Sequence, residues 1–127
     1  MYPHSSPSQA LAREANIVTK ATTRAADRLG LKNSTLSKIV GLSEPTISRM
    51  RRGNYVFDAD HKSFELALLF VRLYRSLDSI VAGDDSVAAD WLHNNNTALN
   101  GLPIELIQTV SGLTNVIAYL DSRRAVI

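Results

Sequence analysis

The chain of 127 residues contains no cysteine and no long uninterrupted apolar run. Without cysteine it forms no disulfide, no thiolate nucleophile and no thiolate zinc site, which fits a reducing cytoplasm. The longest mostly apolar stretch, 64–81, is interrupted by four charged residues, so we expect no membrane span. The first nine residues also lack an apolar run, so we expect no signal peptide there. Their Ser and Pro content predicts a disordered tail over 1–9.

Groupings of residues that support catalysis are also missing from the sequence. The three histidines, His4, His61 and His93, lie in different segments, without partners at the spacing of a metal site or a catalytic triad. No glycine-rich phosphate-binding loop occurs, and the adjacent Asp84 and Asp85 are interpreted as helix caps. We therefore expect a protein that is not an enzyme and that holds no metal and no cofactor.

The charge is distributed unevenly along the chain, although the formal net charge is only +2. Residues 1–57 contain nine Lys and Arg against three Asp and Glu, whereas residues 58–127 contain five against nine. A basic half suits contact with phosphate, and an acidic half disfavours it. The two halves are therefore expected to have different partners.

The apolar periodicity predicts an all-α fold, because no segment shows the alternating, β-branched pattern of a strand. Helices are predicted over 8–29, 34–40, 44–51 and 59–82, and from Asp84 or Asp85 to about His93. A further helix is predicted to begin at Pro103, with Leu106, Ile107 and Val110 facing inward. After a break at Gly112, a last helix is predicted with a core face of Leu113, Val116, Ile117 and Leu120. The domain organisation expected is a helix-turn-helix unit over 10–57 followed by a second helical unit over 58–127.

For two of these helices the sequence allows more than one interpretation of what packs against them. The first has an apolar stripe of Ile17, Ala21, Ala25 and Leu29 and a basic stripe of Lys20, Arg24 and Arg28. The basic stripe is interpreted as a solvated face, with a phosphate-facing edge as the alternative. The segment 59–82 is apolar on most sides and needs partners on more than one side. A second copy of the chain is the favoured partner, and wrapping by its own domain is the alternative.

The most specific motif covers residues 36–50. A helix-turn-helix needs a small residue where its helices touch, which Ser37 supplies, and a left-handed residue in the turn, which Gly41 supplies. Apolar residues stand where the second helix must pack, at Leu36, Val40, Leu42, Ile47 and Met50. Asn33 and Ser43 are predicted N-caps of the two helices. The coincidence of these features predicts a DNA-binding helix-turn-helix rather than an ordinary helical hairpin.

The outward positions of the second helix follow once Ile47 and Met50 point inward. Glu44, Pro45, Ser48 and Arg49 are predicted to face the major groove, where Arg49 can pair with guanine O6 and N7. Glu44 can accept from a cytosine amine, or simply place a favourable charge at a helix N-terminus. Pro45 is expected to touch a thymine methyl or to start the helix. The residues predicted to contact phosphates are Asn33, Ser43, Thr46 and Arg52. Lys38 and Arg51 are predicted to add to the positive field without reading the base sequence.

The second half resembles the toxin-binding domain of the Xre/MbcA/ParS antitoxin family. Segments 65–77, 90–92, 96–107 and 112–120 carry the resemblance. They contain the family's Trp-Leu, its Asn-x-x-Leu-x-Gly, its Pro before an apolar helix and its Gly opening the last helix. The spacing from Gly101 to Pro103 is shorter than the family pattern, and the tail lacks the closing Gly that many members have. With the helix-turn-helix, the resemblance covers about residues 10–125.

The resemblance implies an antitoxin that blocks a RES-domain toxin, an NAD-destroying enzyme, through its C-terminal domain. It also implies repression of the shared promoter through the helix-turn-helix, and a homodimer or higher oligomer. The residues expected to face the toxin are in the last helix and the tail: Tyr119, Leu120, Arg123, Arg124, Val126 and Ile127. Taken alone, Arg123 and Arg124 are a basic pair that suits an acidic or phosphate-binding pocket, or the helix dipole.

A second hypothesis comes from another functional class. The wide apolar surface of 59–82 is also compatible with a stand-alone dimeric repressor whose C-terminal half only dimerises the chain. Both hypotheses include operator DNA as a partner and place the protein in the cytoplasm, without a membrane partner.

Overall fold

The computed structural model describes residues 6–124 and is all-α over that range. Its helices are α1 (Pro7–Arg28), α2 (Asn33–Val40), α3 (Glu44–Arg51), α4 (Lys62–Ile80), α5 (Asp85–His93), α6 (Pro103–Leu106) and α7 (Val110–Arg124). The only β-type pairing among the described residues is an isolated antiparallel bridge between Asn96 and Gly101. The predicted all-α fold is confirmed. No helix within 6–124 is both long and apolar enough to cross a membrane.

The start of α1 corrects the predicted tail. Ser6 is the N-cap: its hydroxyl accepts from the Gln9 amide at 3.2 Å, and the Gln9 side chain accepts from the Ser6 amide at 3.0 Å. This reciprocal pair is a capping box, and Pro7 follows it at a position that needs no amide donor. Residues 7–9 are therefore helical rather than part of a disordered tail.

The buried face of α1 differs from the predicted stripe. Ile17 is 65% exposed, whereas the buried residues are Ala15, Val18, Thr19, Thr22, Ala25, Ala26 and, just after the helix, Leu29. Steps of four residues turn 400°, so a stripe at every fourth position drifts by 40° per step around a helix of 3.6 residues per turn. Over the 12 residues from Ile17 to Leu29 this drift reaches about 120°, which takes Ile17 off the core.

Helix α4 is the central element. It packs against α1 and α2 on one side and against α5 and α7 on the other, within one continuous hydrophobic core. Packing within the chain thus covers most of its apolar surface, as the alternative interpretation of 59–82 expected. Leu68 and Ile80 remain 40% and 43% exposed. The predicted boundary at residue 58 lies just before α4, and α4 packs against both halves of the chain.

In the C-terminal half, one predicted helix cap is confirmed and two other expectations are corrected. Asp84 caps α5 by accepting from the Val87 amide at 3.2 Å, as predicted. Gly112 does not break a helix, since it lies in the first turn of α7. Its amide donates to the Thr109 hydroxyl at 3.1 Å. Val110, predicted to face inward, is 51% exposed.

Candidate functional site

The helix-turn-helix has the predicted internal geometry. Gly41 adopts a left-handed backbone, with φ of +72°, directly after α2. The Ser37 hydroxyl donates to the Leu42 carbonyl and so ties α2 to the turn. Leu36, Val40, Ile47 and Met50 are all buried, and Leu42 packs half-buried against them. These contacts hold helix α3 against the body of the protein.

The predicted DNA-facing residues lie around the start and one side of α3. Ser43 caps the helix: its hydroxyl accepts from the Thr46 amide at 3.3 Å and lies 2.8 Å from the Thr46 hydroxyl. Glu44, Pro45 and Arg49 are exposed, as are Ser43 and Arg52, and Thr46 and Ser48 are half-buried. Asn33 is the first residue of α2 rather than its N-cap, a position that Lys32 takes without a side-chain hydrogen bond.

Arg49 and Arg52 are exposed cations of this face. Arg49 donates to the Thr46 hydroxyl at 3.0 Å, and Arg52 donates to the Ser48 hydroxyl at 3.0 Å. Neither guanidinium has a carboxylate partner among the residues that the structure describes. Each can exchange its hydroxyl acceptor for the two acceptors of a guanine edge or for a charged phosphate, because bidentate and ion-paired hydrogen bonds are stronger than a single bond to a neutral hydroxyl.

Arg51 has a different role from the one predicted. It donates to the Leu31 carbonyl at 2.7 Å and forms an ion pair with Asp27 at 3.1 Å. It therefore links the end of α3 to the end of α1 and does not simply add positive field. Arg51 and Arg52 could not be told apart from the sequence, because they are adjacent and only the packing of α3 decides which of them faces α1.

The basic stripe of α1 divides between two environments. Lys20 and Arg24 line a surface depression beside the C-terminal end of α3, together with Tyr55. Arg28 instead donates to the Tyr74 hydroxyl at 3.1 Å, which joins α1 to α4. That hydrogen bond raises the pKa of Arg28 above its ordinary value.

Near the end of α7, aromatic and cationic side chains form a second surface. The Tyr119 ring stacks on Trp91 of α5, with ring centroids 6.4 Å apart and planes 18° from parallel. Arg123 donates from Nε and Nη2 to the Tyr119 hydroxyl at 3.2 and 3.1 Å, and its guanidinium carbon lies 5.3 Å from the ring centroid. The hydrogen bond from Arg123 is the main reason why the pKa of Tyr119 is lowered.

The other residues expected to face a toxin are placed differently. Leu120 is 1% exposed and belongs to the core, because it lies on the face of α7 that packs on α4. This confirms its predicted place on the core face of the last helix and corrects its assignment to the toxin-facing surface. Arg124 is exposed and donates to the Ser76 hydroxyl at 3.2 Å. Val126 and Ile127 lie outside the described residues.

A polar cluster next to Arg124 fixes α7 on α4. Asp121 accepts from the Ser76 hydroxyl at 2.7 Å and from Arg72 at 2.6 Å. These interactions, with the Ser76 hydrogen bond as the largest, lower the pKa of Asp121. The cluster therefore determines the direction in which the end of α7 projects.

Sequence reasoning missed the groove beside the stacked aromatic pair. A cavity of about 370 Å³ opens between the ends of α4 and α7 and beside α5. Its lining consists of Leu77, Ile80, Val81, Trp91, Tyr119, Leu120 and Arg123. The single tryptophan was a signal in the sequence. Ile80 and Val81 gave none, because α4 is apolar around most of its circumference.

Comparison with known families assigns both halves of the chain. Residues 8–72 match the family model for the antitoxin Xre-like helix-turn-helix domain. Residues 76–125 match the model for the antitoxin Xre/MbcA/ParS C-terminal toxin-binding domain. The two matched segments meet within α4. No individually curated protein matches the chain.

Proposed function

Because the chain belongs to the family of antitoxins with an Xre-like helix-turn-helix and an Xre/MbcA/ParS toxin-binding domain, we propose that it neutralises a RES-type, NAD-degrading toxin and represses its own operon. The observation that carries this proposal is the joining of a DNA-binding helix pair and a toxin-binding domain on one continuous core. Both functions are exerted by binding rather than by catalysis. The proposed compartment is the cytoplasm, where both the toxin's substrate NAD and the operator are found.

In the DNA-binding function, α3 enters the major groove with its first turn leading. Arg49 recognises a guanine edge, and Glu44, Pro45 and Ser48 line the same side. Arg52 with Ser43, Thr46 and Asn33 meets the phosphates. The exposure of Arg49 and Arg52 and their freedom from carboxylate partners in residues 6–124 support these roles.

Two single substitutions distinguish base recognition from phosphate contact. Arg49→Ala should weaken binding to the operon's own promoter by about 1–3 kcal/mol and relax the preference at one base pair. Arg52→Ala should weaken binding to all sequences alike and make the negative slope of log affinity against log salt less steep by about 1. Fluorescence anisotropy with promoter duplexes at several salt concentrations measures both quantities. An equal loss on every sequence for Arg49→Ala would remove it as a base reader.

In the toxin-binding function, the C-terminal end of α7 approaches the toxin. Tyr119, Arg123 and Arg124 provide accessible polar and aromatic groups there, while Leu120 supports them from the core. The direct test is co-expression with the adjacent reading frame, recording growth and cellular NAD. The neighbour alone should stop growth and deplete NAD, and this protein should restore both. A harmless neighbour, or a lack of rescue, would contradict the proposal.

A homodimer or higher oligomer is part of the proposal, because two DNA-binding units on one inverted repeat multiply affinity. Their half-sites would lie about one helical turn apart, roughly 34–36 Å. The remaining alternative is a stand-alone dimeric repressor. It is favoured only by Leu68 and Ile80, the large apolar side chains of α4 that stay exposed. It predicts promoter binding without any effect on a neighbouring gene product.

A further inference from the structure

The groove at the end of α7 combines an apolar floor with one cation at its rim. Leu77 and Leu120 form the buried floor, Ile80 is 43% exposed at the edge, and Trp91 is a half-buried wall. Arg123 lies at the mouth, with its guanidinium carbon 5.3 Å from the centroid of the Tyr119 ring. A volume of about 370 Å³ holds one or two large apolar side chains.

The charge at the mouth of the groove narrows the kind of ligand that can bind there. Two N–H groups of Arg123 donate to the neutral Tyr119 hydroxyl. No carboxylate in the described part of the chain forms an ion pair with Arg123. Because two hydrogen bonds hold this guanidinium at the Tyr119 hydroxyl, it is preorganised, and its remaining N–H groups are available for a bidentate carboxylate. The groove thus fits an apolar side chain that is flanked by Asp or Glu.

Resting on the proposed function, we infer that this groove is the main docking site for the toxin, which inserts a large apolar side chain against Trp91 and pairs a neighbouring carboxylate with Arg123. Every residue that lines the groove falls within the segment matched by the toxin-binding domain, 76–125. Buried aromatic and arginine side chains are also the residue types that most often dominate binding energy at interfaces.

A second copy of the chain is a poor occupant. In a two-fold contact centred here, the same surface would face itself. One concave groove would then oppose another and leave both unfilled, and Arg123 would approach its own counterpart. A partner with a protruding apolar residue avoids both problems.

The test uses the full-length protein and the RES-domain protein encoded by the adjacent reading frame. Trp91 is the only tryptophan, so replacing it biosynthetically with 5-fluorotryptophan gives one ¹⁹F resonance that reports on the groove. Adding unlabelled toxin should shift that resonance in step with complex formation. Adding promoter DNA should not, because α3 lies in the other half of the fold.

Two matched pairs of variants identify the contacts. Ile80→Asp is compared with Leu68→Asp, which has the same helix and nearly the same exposure but lies 12 residues away, about 18 Å along α4. Arg123→Glu is compared with Arg75→Glu, the same charge reversal at another exposed position of the C-terminal half. Calorimetry should show losses of about tenfold or more in toxin affinity for Ile80→Asp and Arg123→Glu, and changes within about twofold for the two controls.

Each contrary outcome is distinct. If wild type binds the toxin but the groove variants bind equally well and the ¹⁹F resonance does not move, the groove assignment falls and the antitoxin function stands. Equal losses in all four variants would likewise overturn it. If Ile80→Asp leaves toxin affinity unchanged and instead lowers the oligomeric mass of the free protein in solution, the groove is a contact between copies of the chain. If wild type fails to bind the toxin at all, the proposed function falls together with the groove. Promoter binding and circular dichroism verify that each variant is folded.

Discussion

Gly112 is predicted to be required for the position of α7. A Cβ built at this residue would lie 1.8 Å from the Leu106 carbonyl oxygen, 2.8 Å from the Leu106 carbonyl carbon and 2.9 Å from the Thr109 hydroxyl. Carbon and oxygen atoms that are not bonded approach to about 3.3 Å. Gly112→Ala therefore requires the start of α7 to move by about 1.5 Å from the preceding turn. The obstacle is backbone, which cannot swing aside as a side chain does.

The size of the effect follows from two opposing contributions. Overpacking of this kind costs about 1–3 kcal/mol, occasionally more. Replacing Gly by Ala in a helix returns up to about 1 kcal/mol, and less in a first turn, where few intrahelical bonds are formed. The free energy of unfolding should fall by about 2 kcal/mol, which for a chain of this size lowers Tm by about 8 °C. Toxin affinity should fall as well, because α7 carries Tyr119 and Arg123.

Thermal and urea unfolding followed by circular dichroism measure the stability change. Gly101→Ala is the matched control, since the three atoms nearest to its Cβ would all belong to the Leu106 side chain, the first at 3.5 Å, which is an ordinary contact. That variant should stay within about 0.5 kcal/mol of wild type. If Gly112→Ala unfolds at the wild-type temperature or above, the close approach between α7 and the Leu106 carbonyl does not limit stability, and the reasoning is wrong.

Two further predictions concern hydrogen-bonded side chains. Arg51→Ala should lower the free energy of unfolding by about 1–2 kcal/mol, because it leaves the Leu31 carbonyl without its donor; Arg52→Ala is the control and should leave it within about 0.5 kcal/mol. Equal urea midpoints for the two variants would refute this. Asp121 has a folded pKa below its unfolded value of about 4, so its contribution is present above that pH and is lost as the pH falls through the folded pKa. Asp121→Asn should flatten the decline of the urea midpoint below pH 4, and parallel pH profiles would contradict it.

The helix-turn-helix was predictable because its requirements are local. A left-handed residue at Gly41, a small residue at Ser37 and a cap at Ser43 are each dictated by backbone geometry within a few residues. The same holds for the cap of α5 at Asp84 and for the buried face of α7. In these segments the residues that contact one another are also close neighbours in the sequence, so the spacing alone predicts the contact.

The errors arose where the answer depends on contacts between distant segments. The predicted stripe of α1 drifts around the helix, and the side on which α1 packs against α4 decides that its Ile17 end is the exposed one. In the sequence, Arg51 is one of two adjacent cations. Its structural role becomes visible only with its hydrogen bond to the Leu31 carbonyl, 20 residues away. Gly112 looked like a helix break because sequence shows only its missing side chain, and not the Leu106 carbonyl that occupies the space.

The amino-acid sequence by itself determined the all-α class, the DNA-binding helix pair and the resemblance to a toxin-binding domain, since periodicity, caps and short motifs act over neighbouring residues. Only the tertiary structure decided that α4 serves both halves and that Ile80, Trp91 and Arg123 line one groove. These residues come from three helices separated by loops. Their meeting depends on how α5 and α7 pack on α4, and that packing is a property of the whole core.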